Sequence, residues 1–177
     1  MQLQDRYRVA LFSAYALALH GFESLLPTPV PWLRLGLANI ITIVALFLYG
    51  IRTAMMITLI RVILSSLFAG TFLGPSFILS LGGGVTSTLA MGFVMIIAPG
   101  LFSTIGISLI GALLHNITQL VLAYFIFIQR IEAILFISPF IVLLGVATGT
   151  VNGFIAEILI KNLKKDTEKV QNNKKIY

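Results

Sequence analysis

Ionisable and amide side chains stand out in this chain because almost everything around them is hydrocarbon. The stretch ESLLPTPVPWLRLGLAN, from Glu23 to Asn39, supplies a carboxylate, a guanidinium and an amide within 17 residues. A guanidinium can neutralise an anionic group on a ligand, while amides and carboxylates can orient that ligand through hydrogen bonds. These residue types favour ligand binding, with Arg34 as one anchoring cation.

Further polar residues lie inside apolar segments, where an ionisable group is costly and usually faces the protein interior or a water-filled cavity. His115 and Gln119 are spaced i, i+4, so they share one helix face. A network that only locks helices together is the alternative, but the size of the set favours a binding site. The residues predicted to bind substrate are Glu23, Trp32, Arg34, Asn39, Arg61, Phe72, Ser80, Gly83, His115, Asn116 and Gln119.

The run Gly82-Gly83-Gly84 is an unusual backbone feature within an apolar segment. Glycines let another backbone or a ligand come close, so the run predicts either a discontinuous helix at a binding site or close helix packing. No phosphate-loop lysine follows it, so a nucleotide cradle is not supported. Both alternatives for the run remain open at this point.

Catalytic and metal-binding patterns are weak. The chain has no cysteine, and its only aspartates, Asp5 and Asp166, lie near its ends, so the usual magnesium site of a prenyl diphosphate synthase cannot be assembled. His20, Glu23 and His115 could in principle share a metal, but their spacing matches no established ligand pattern. We therefore predict no catalytic residue, no metal and no cofactor.

The composition is that of an integral membrane protein. Of 177 residues, 58% are apolar and 10% are charged, and the mean hydropathy is +1.03, whereas soluble domains are about 25% charged. The net charge of +6 does not indicate nucleic-acid binding, because most basic residues lie at the chain ends.

Since a span needs about 20 apolar residues, the sequence predicts an all-α protein with six transmembrane helices, at about 9–26, 33–49, 53–69, 75–98, 101–128 and 134–163.

The distribution of lysine and arginine predicts the orientation. With six spans, most of these residues fall on the side of the two termini, so both termini should be cytoplasmic. The transmembrane domain would occupy residues 1–163, and residues 164–177 would form a basic polar cytoplasmic tail. Most polar residues within the spans then fall in the outer half of the membrane, with Asn152 and Glu157 as the main exceptions. This asymmetry predicts a polar cavity that opens outward.

Two helix faces carry small residues at i+4 spacing. Ala10, Ala14 and Ala18 lie on the first span, and Gly145, Gly149 and Gly153 lie on the last. Small residues let membrane helices approach closely. Packing within the bundle and docking of a partner helix are both open for each stripe.

Three blocks of the sequence together resemble a known family: ESLLPTPVPWLRLGLAN, RVILSSLFAGTFLGPSFILSLGGG and LIGALLHNITQLVLA. The chain resembles, over residues 9–160, the heptaprenyl diphosphate synthase component I family, also called Gx transporter proteins. That family is similar to the S components of energy-coupling-factor (ECF) transporters, which have six helices. The resemblance implies a bacterial or archaeal cytoplasmic membrane and an outward-facing pocket. It also implies that Ala10, Ala14 and Ala18 dock onto a transmembrane coupling subunit, with ATP hydrolysis by separate ATPase subunits.

The two family labels imply different functions. The first hypothesis is a non-enzymatic subunit that captures a small organic molecule for uptake and has membrane lipid and the coupling subunits as partners. Arg34 and Arg61 would neutralise a polar or anionic head of the substrate, and Trp32 and Phe72 would contact an apolar part. The residues that would orient the substrate are Glu23, Asn39, His115, Asn116 and Gln119. The alternatives are a membrane component of heptaprenyl diphosphate synthase and a scaffold with a structural polar network.

Overall fold

The computed structural model describes residues 3–24 and 36–174, with side chains described for 7–22 and 36–165. These residues form helices and turns, with no strand among them. The helices are α1 Leu3–Ser24, α2 Asn39–Phe68, α3 Pro75–Ile97, α4 Thr104–Ala123 and α5 Ile131–Lys174, and α4 continues into a π-helical turn, Tyr124–Ile128. The predictions for Trp32, Arg34 and the side chain of Glu23 lie outside the described residues.

Helix α2 is a hairpin rather than a rod. Gly50 has φ 82° and ψ 177°, a conformation that only glycine adopts readily, and it divides α2 into arms at 39–49 and 51–68. The hydroxyl oxygens of Thr42 and Thr58 lie 3.3 Å apart. Sixteen residues of straight helix would separate them by about 24 Å. The two arms therefore lie side by side and antiparallel, with the break at the position that the sequence predicts.

The first arm of α2 is shorter than the span predicted at 33–49. Gly36 has a left-handed φ of +74°, and the chain turns at residues 36–38 before the helix begins at Asn39. An arm of 11 residues is about 16 Å long, about half the hydrocarbon thickness of a bilayer. Its N-terminal end therefore lies inside the bundle, beside the middle of the second arm.

Among the described residues, four segments are long and apolar enough, by length and composition, to cross a membrane: Asn39–Phe68 (counted across its break at Gly50), Pro75–Ile97, Thr104–Ile128 and Ile131–Lys165. Large apolar side chains cover the outside of the bundle, as in Phe136, which is 88% exposed. Such a surface is stable against lipid and unstable against water. The chain is therefore a multi-pass membrane protein. Six complete crossings and the side on which the termini lie remain predictions.

The glycine stripe on α5 packs against α4. A Cβ added at Gly153 would lie 2.6 Å from the backbone Cα of Ile105, and one added at Gly149 would lie 2.9 Å from the Ala112 methyl group. The Ser108 hydroxyl donates a 2.7 Å hydrogen bond to the Gly149 carbonyl. Of the two interpretations of this stripe, the structure supports packing within the bundle.

Helix α3 is continuous through its three glycines, so the discontinuous-helix interpretation is wrong. A Cβ added at Gly82 would lie 2.5 Å from Leu122, on the α4 side. A Cβ added at Gly84 would lie 3.0 Å from Thr58, on the α2 side. The glycine run therefore lets both α4 and α2 pack closely against α3.

A directional chain of hydroxyl groups connects both arms of α2 to α3. Thr42, Thr58 and Thr88 are completely buried. The Thr88 hydroxyl donates to the Gly84 carbonyl at 2.8 Å, so in its 3.1 Å contact with Thr58 it must accept. Because a hydroxyl has a single proton, Thr58 donates to Thr88 and accepts from Thr42. This series of hydrogen bonds provides an acceptor for three hydroxyl groups that would otherwise be costly to bury.

Candidate functional site

A polar cavity lies where the first arm of α2 begins. Each of the five described helices contributes to its wall, so it is the place where the bundle as a whole converges. Its volume is about 40 Å³, which is room for about three water molecules. The described lining residues are His20, Gly36, Asn39, Arg61, Val62, Ser80, Ala112, His115, Asn116, Gln119, Thr148 and Asn152.

Arg61 provides the permanent charge among the described lining residues. It lies on the second arm of α2 and is 7% exposed. Thr58, three residues earlier on the same helix face, belongs to the hydroxyl chain that fixes this turn against α3. A Cβ at Gly84 would lie 3.7 Å from the Arg61 guanidinium, an ordinary contact distance, so that group lies next to α3. The packing of α2 and α3 therefore holds a cation at the cavity wall.

His115 and Gln119 reach the cavity from one face of α4, as their spacing predicts. The His115 imidazole lies against Gly83 of α3. A Cβ on Gly83 would lie 2.9 Å from the ring and 3.2 Å from the Gln119 Cγ. Any larger residue at position 83 would displace both side chains. Gly83 thus contributes to the site by leaving space for the side chains of His115 and Gln119.

Three polar residues of the cavity donate to backbone carbonyls. Asn116 Nδ2 donates to the Ile141 carbonyl at 3.0 Å. Asn152 Nδ2 donates to the Gly36 carbonyl at 3.0 Å, which connects the start of α2 to the middle of α5. The Thr148 hydroxyl donates to the Gly145 carbonyl at 3.3 Å. These bonds hold the α4–α5 side of the cavity in place.

The family model for heptaprenyl diphosphate synthase component I matches residues 12–159. The chain belongs to this family. Among solved structures, it is similar to the S component of a bacterial ECF transporter, at 18% sequence identity and a TM-score of 0.76. The match covers 94% of this chain and 99% of that one. At this identity the likeness shows the fold. A comparison with curated proteins gives no match.

In this member of the component I family, the structure brings six predicted site residues to one cavity: Asn39, Arg61, Ser80, His115, Asn116 and Gln119. Phe72 lies elsewhere, in the connection between α2 and α3, where it packs edge-to-face on Phe77 with ring centroids 5.1 Å apart. Phe72 is 43% exposed. Substrate binding by these residues remains a prediction.

Sequence reasoning missed several lining residues of this family member, among them Asn152 and Thr148. Asn152 was assigned to the inner half of the membrane, away from the site. It reaches the cavity because the first arm begins deep in the bundle and presents the Gly36 carbonyl there. The i, i+4 spacing of Thr148 and Asn152 was a usable signal, since it places both on one helix face.

The described residues that line the cavity carry groups suited to binding a ligand. They present one guanidinium, two imidazoles, four carboxamides and two hydroxyls from their side chains. Among the described residues, no group of three histidine, cysteine, aspartate or glutamate side chains is placed to hold a metal. The arrangement suits a small polar molecule held by hydrogen bonds and one charge.

Proposed function

We propose that this chain is the substrate-binding subunit of an ECF-type uptake system for a small organic molecule. The observation that carries this proposal is the cavity. All five helices of an otherwise apolar bundle supply it with polar groups, and one of these groups is a buried guanidinium. Ionisable groups inside membrane-spanning segments are costly, and by default they indicate a functional site. The S-component fold supports the same function.

Arg61 would neutralise the anionic or polar head of the substrate, and the N-terminal end of the first arm of α2 would help it. Ala38 gives that helix end no side-chain cap, and the partial positive charge of a helix N-terminus favours an anion. Asn39, His115 and Gln119 would orient the head. Glu23, Trp32 and Arg34 are proposed as further contacts. Because the cavity holds only about three water molecules, substrate entry would require movement of wall residues.

The energy for uptake would come from outside this chain. With both termini on the cytoplasmic side, the cavity would open outward, and the bundle would reorient against a transmembrane coupling subunit driven by separate ATPases. Ala10, Ala14 and Ala18 are all exposed, while Val9, Ser13 and Ala16 on the other face of α1 are buried. The alanine face is therefore available for a partner helix.

Native mass spectrometry of the chain purified in mild detergent tests the binding function. We expect a population that carries a discrete small-molecule mass, which is released by acid denaturation. A folded chain that carries no such mass, and gains none when exposed to a deproteinised extract of its expression host, would contradict the proposal.

Replacing Ala14 by tryptophan should abolish uptake without abolishing ligand binding. The side chain is exposed, so the bulky residue would not disturb the bundle but would hold a partner helix away. Uptake by cells and retention of the ligand by the purified chain would be measured in parallel. Ala147→Trp is the matched control, because Ala147 is an exposed alanine on α5. Equal uptake by both variants would show that the alanine face is not the docking surface.

A second candidate function is a membrane component of heptaprenyl diphosphate synthase, which the family description favours. Prenyl transfer usually requires acidic residues that bind diphosphate through magnesium. The described cavity wall contains no carboxylate, and the chain's two aspartates lie near its ends. Turnover of prenyl diphosphates by the purified chain with magnesium would establish the enzyme function, and inactivity would support the transport function.

A further inference from the structure

The α4–α5 side of the cavity differs from the α2 side in its hydrogen-bonding character. On the α4–α5 side, Asn116, Thr148 and Asn152 donate to carbonyls of the protein itself. A carbonyl oxygen can only accept, so each carboxamide must turn its nitrogen toward the carbonyl that it contacts. This requirement fixes the orientation of both amides and leaves their oxygens for other partners.

Acceptor atoms remain on this side, beside the second N–H group of each amide. The Asn152 Oδ1 atom is buried without a hydrogen-bond partner, in a side chain that is 3% exposed. The Asn116 Oδ1 atom and the lone pairs of the Thr148 hydroxyl are the other acceptors. Thr148 and Asn152 are four residues apart, so they project from one face of α5. A buried acceptor without a donor is costly, and a ligand that supplies the donor would remove that cost.

The α2 side of the cavity carries the guanidinium of Arg61, which lies on the second arm of α2. A guanidinium has only donors. A ligand that fits both sides has an anionic or acceptor group toward Arg61 and an N–H or O–H group for the Asn152 Oδ1 atom. Arg61 and Asn152 line the same cavity, so these groups should lie close together in the ligand.

We infer that the substrate is a small molecule that carries an anionic or strongly accepting group and, beside it, at least one N–H or O–H donor for the Asn152 oxygen. This inference rests on the proposed function and narrows it to a substrate class. Hydroxy acids, amino acids and heterocycles with a donor edge belong to that class. Fatty acids and fully ionised prenyl diphosphates do not, because a head without a donor would leave the buried Asn152 oxygen without a hydrogen bond.

The probe for this inference is a deproteinised small-molecule extract of the expression host. The purified wild-type chain is incubated with it and separated by gel filtration, and the retained compounds are identified by mass spectrometry. The inference expects retained compounds with both an anionic or accepting group and an N–H or O–H donor. Retention of donor-free anions alone would overturn it while leaving the proposed function standing. Retention of nothing would overturn both.

Thr148→Val removes one acceptor with little change in shape, and Thr148→Ser keeps the acceptor and serves as the matched control. The valine variant should retain its compound about three- to tenfold more weakly across an extract dilution series, as expected for one lost hydrogen bond, and the serine variant should match the wild type within about twofold. Thermal unfolding of both variants checks that the bundle is intact. Equal retention by the valine and serine variants would overturn the assignment of Thr148 as a ligand acceptor.

Discussion

Replacing Arg61 by methionine should weaken ligand retention by about tenfold to a hundredfold while the bundle stays folded. Hydrogen bonds to charged groups contribute about 1.5–3 kcal/mol, and those to a ligand would be lost. Methionine fills most of the volume of the arginine stem, which keeps the apolar packing around it. Because the substitution also removes the guanidinium from its contacts within the bundle, the loss of binding is measured per folded molecule.

Retention from the extract and thermal unfolding of the same preparations provide the measurement. Arg61→Lys is the control variant: it keeps the charge but lacks the planar fork of donors, so its retention should be intermediate. If Arg61→Met unfolds easily but retains ligand normally per folded molecule, Arg61 belongs to a structural network. The scaffold function would then be favoured over the binding function.

Gly153→Ala should produce the largest loss of stability among single methyl additions in the described bundle. The added Cβ would lie 2.6 Å from the Ile105 Cα and 2.9 Å from the Ser108 Cβ. A backbone atom cannot move aside as a flexible side chain can, so α4 and α5 must separate. Overpacking of this kind typically costs about 1–3 kcal/mol.

Gly21→Ala is the matched control, because a Cβ added there meets no atom within 4 Å. That substitution should be neutral, or stabilising by about 0.5–1 kcal/mol, since alanine favours a helix over glycine. Reversible unfolding in detergent would be compared for the two variants. Equal stability of Gly153→Ala and the wild type would mean that α4 and α5 pack less tightly than described.

Much of the helical framework is predictable from apolar runs and the glycines between them. Gly50 ends the first arm of α2 at the predicted break, and Pro75 begins α3 at the predicted residue. The start of the first arm was not predictable in the same way. Residues 33–38 are apolar enough to extend a span, and only the left-handed backbone at Gly36 shows that the helix begins later.

The site was partly predictable, because a buried guanidinium or imidazole in an apolar segment is conspicuous. Arg61, His115 and Gln119 could be selected by residue type alone. Asn152 could not be assigned to the cavity, because its depth follows from the Gly36 carbonyl that it meets, more than 100 residues earlier in the chain. Gly83 was predicted as a contact of the ligand, but its described contacts are with His115 and Gln119. Pairings between distant segments depend on tertiary packing, which residue spacing does not report.

The hairpin at Gly50 also affects how the chain is built into the membrane. An arm of 11 residues is about half the length that lets a helix enter lipid alone, and the second arm carries Arg61, a residue that costs about 2.5–3.5 kcal/mol at the centre of an inserting helix. Neither arm is a good insertion unit by itself. During synthesis the two arms should leave the translocon as a pair, with Asn39 and Arg61 facing the protein from the start.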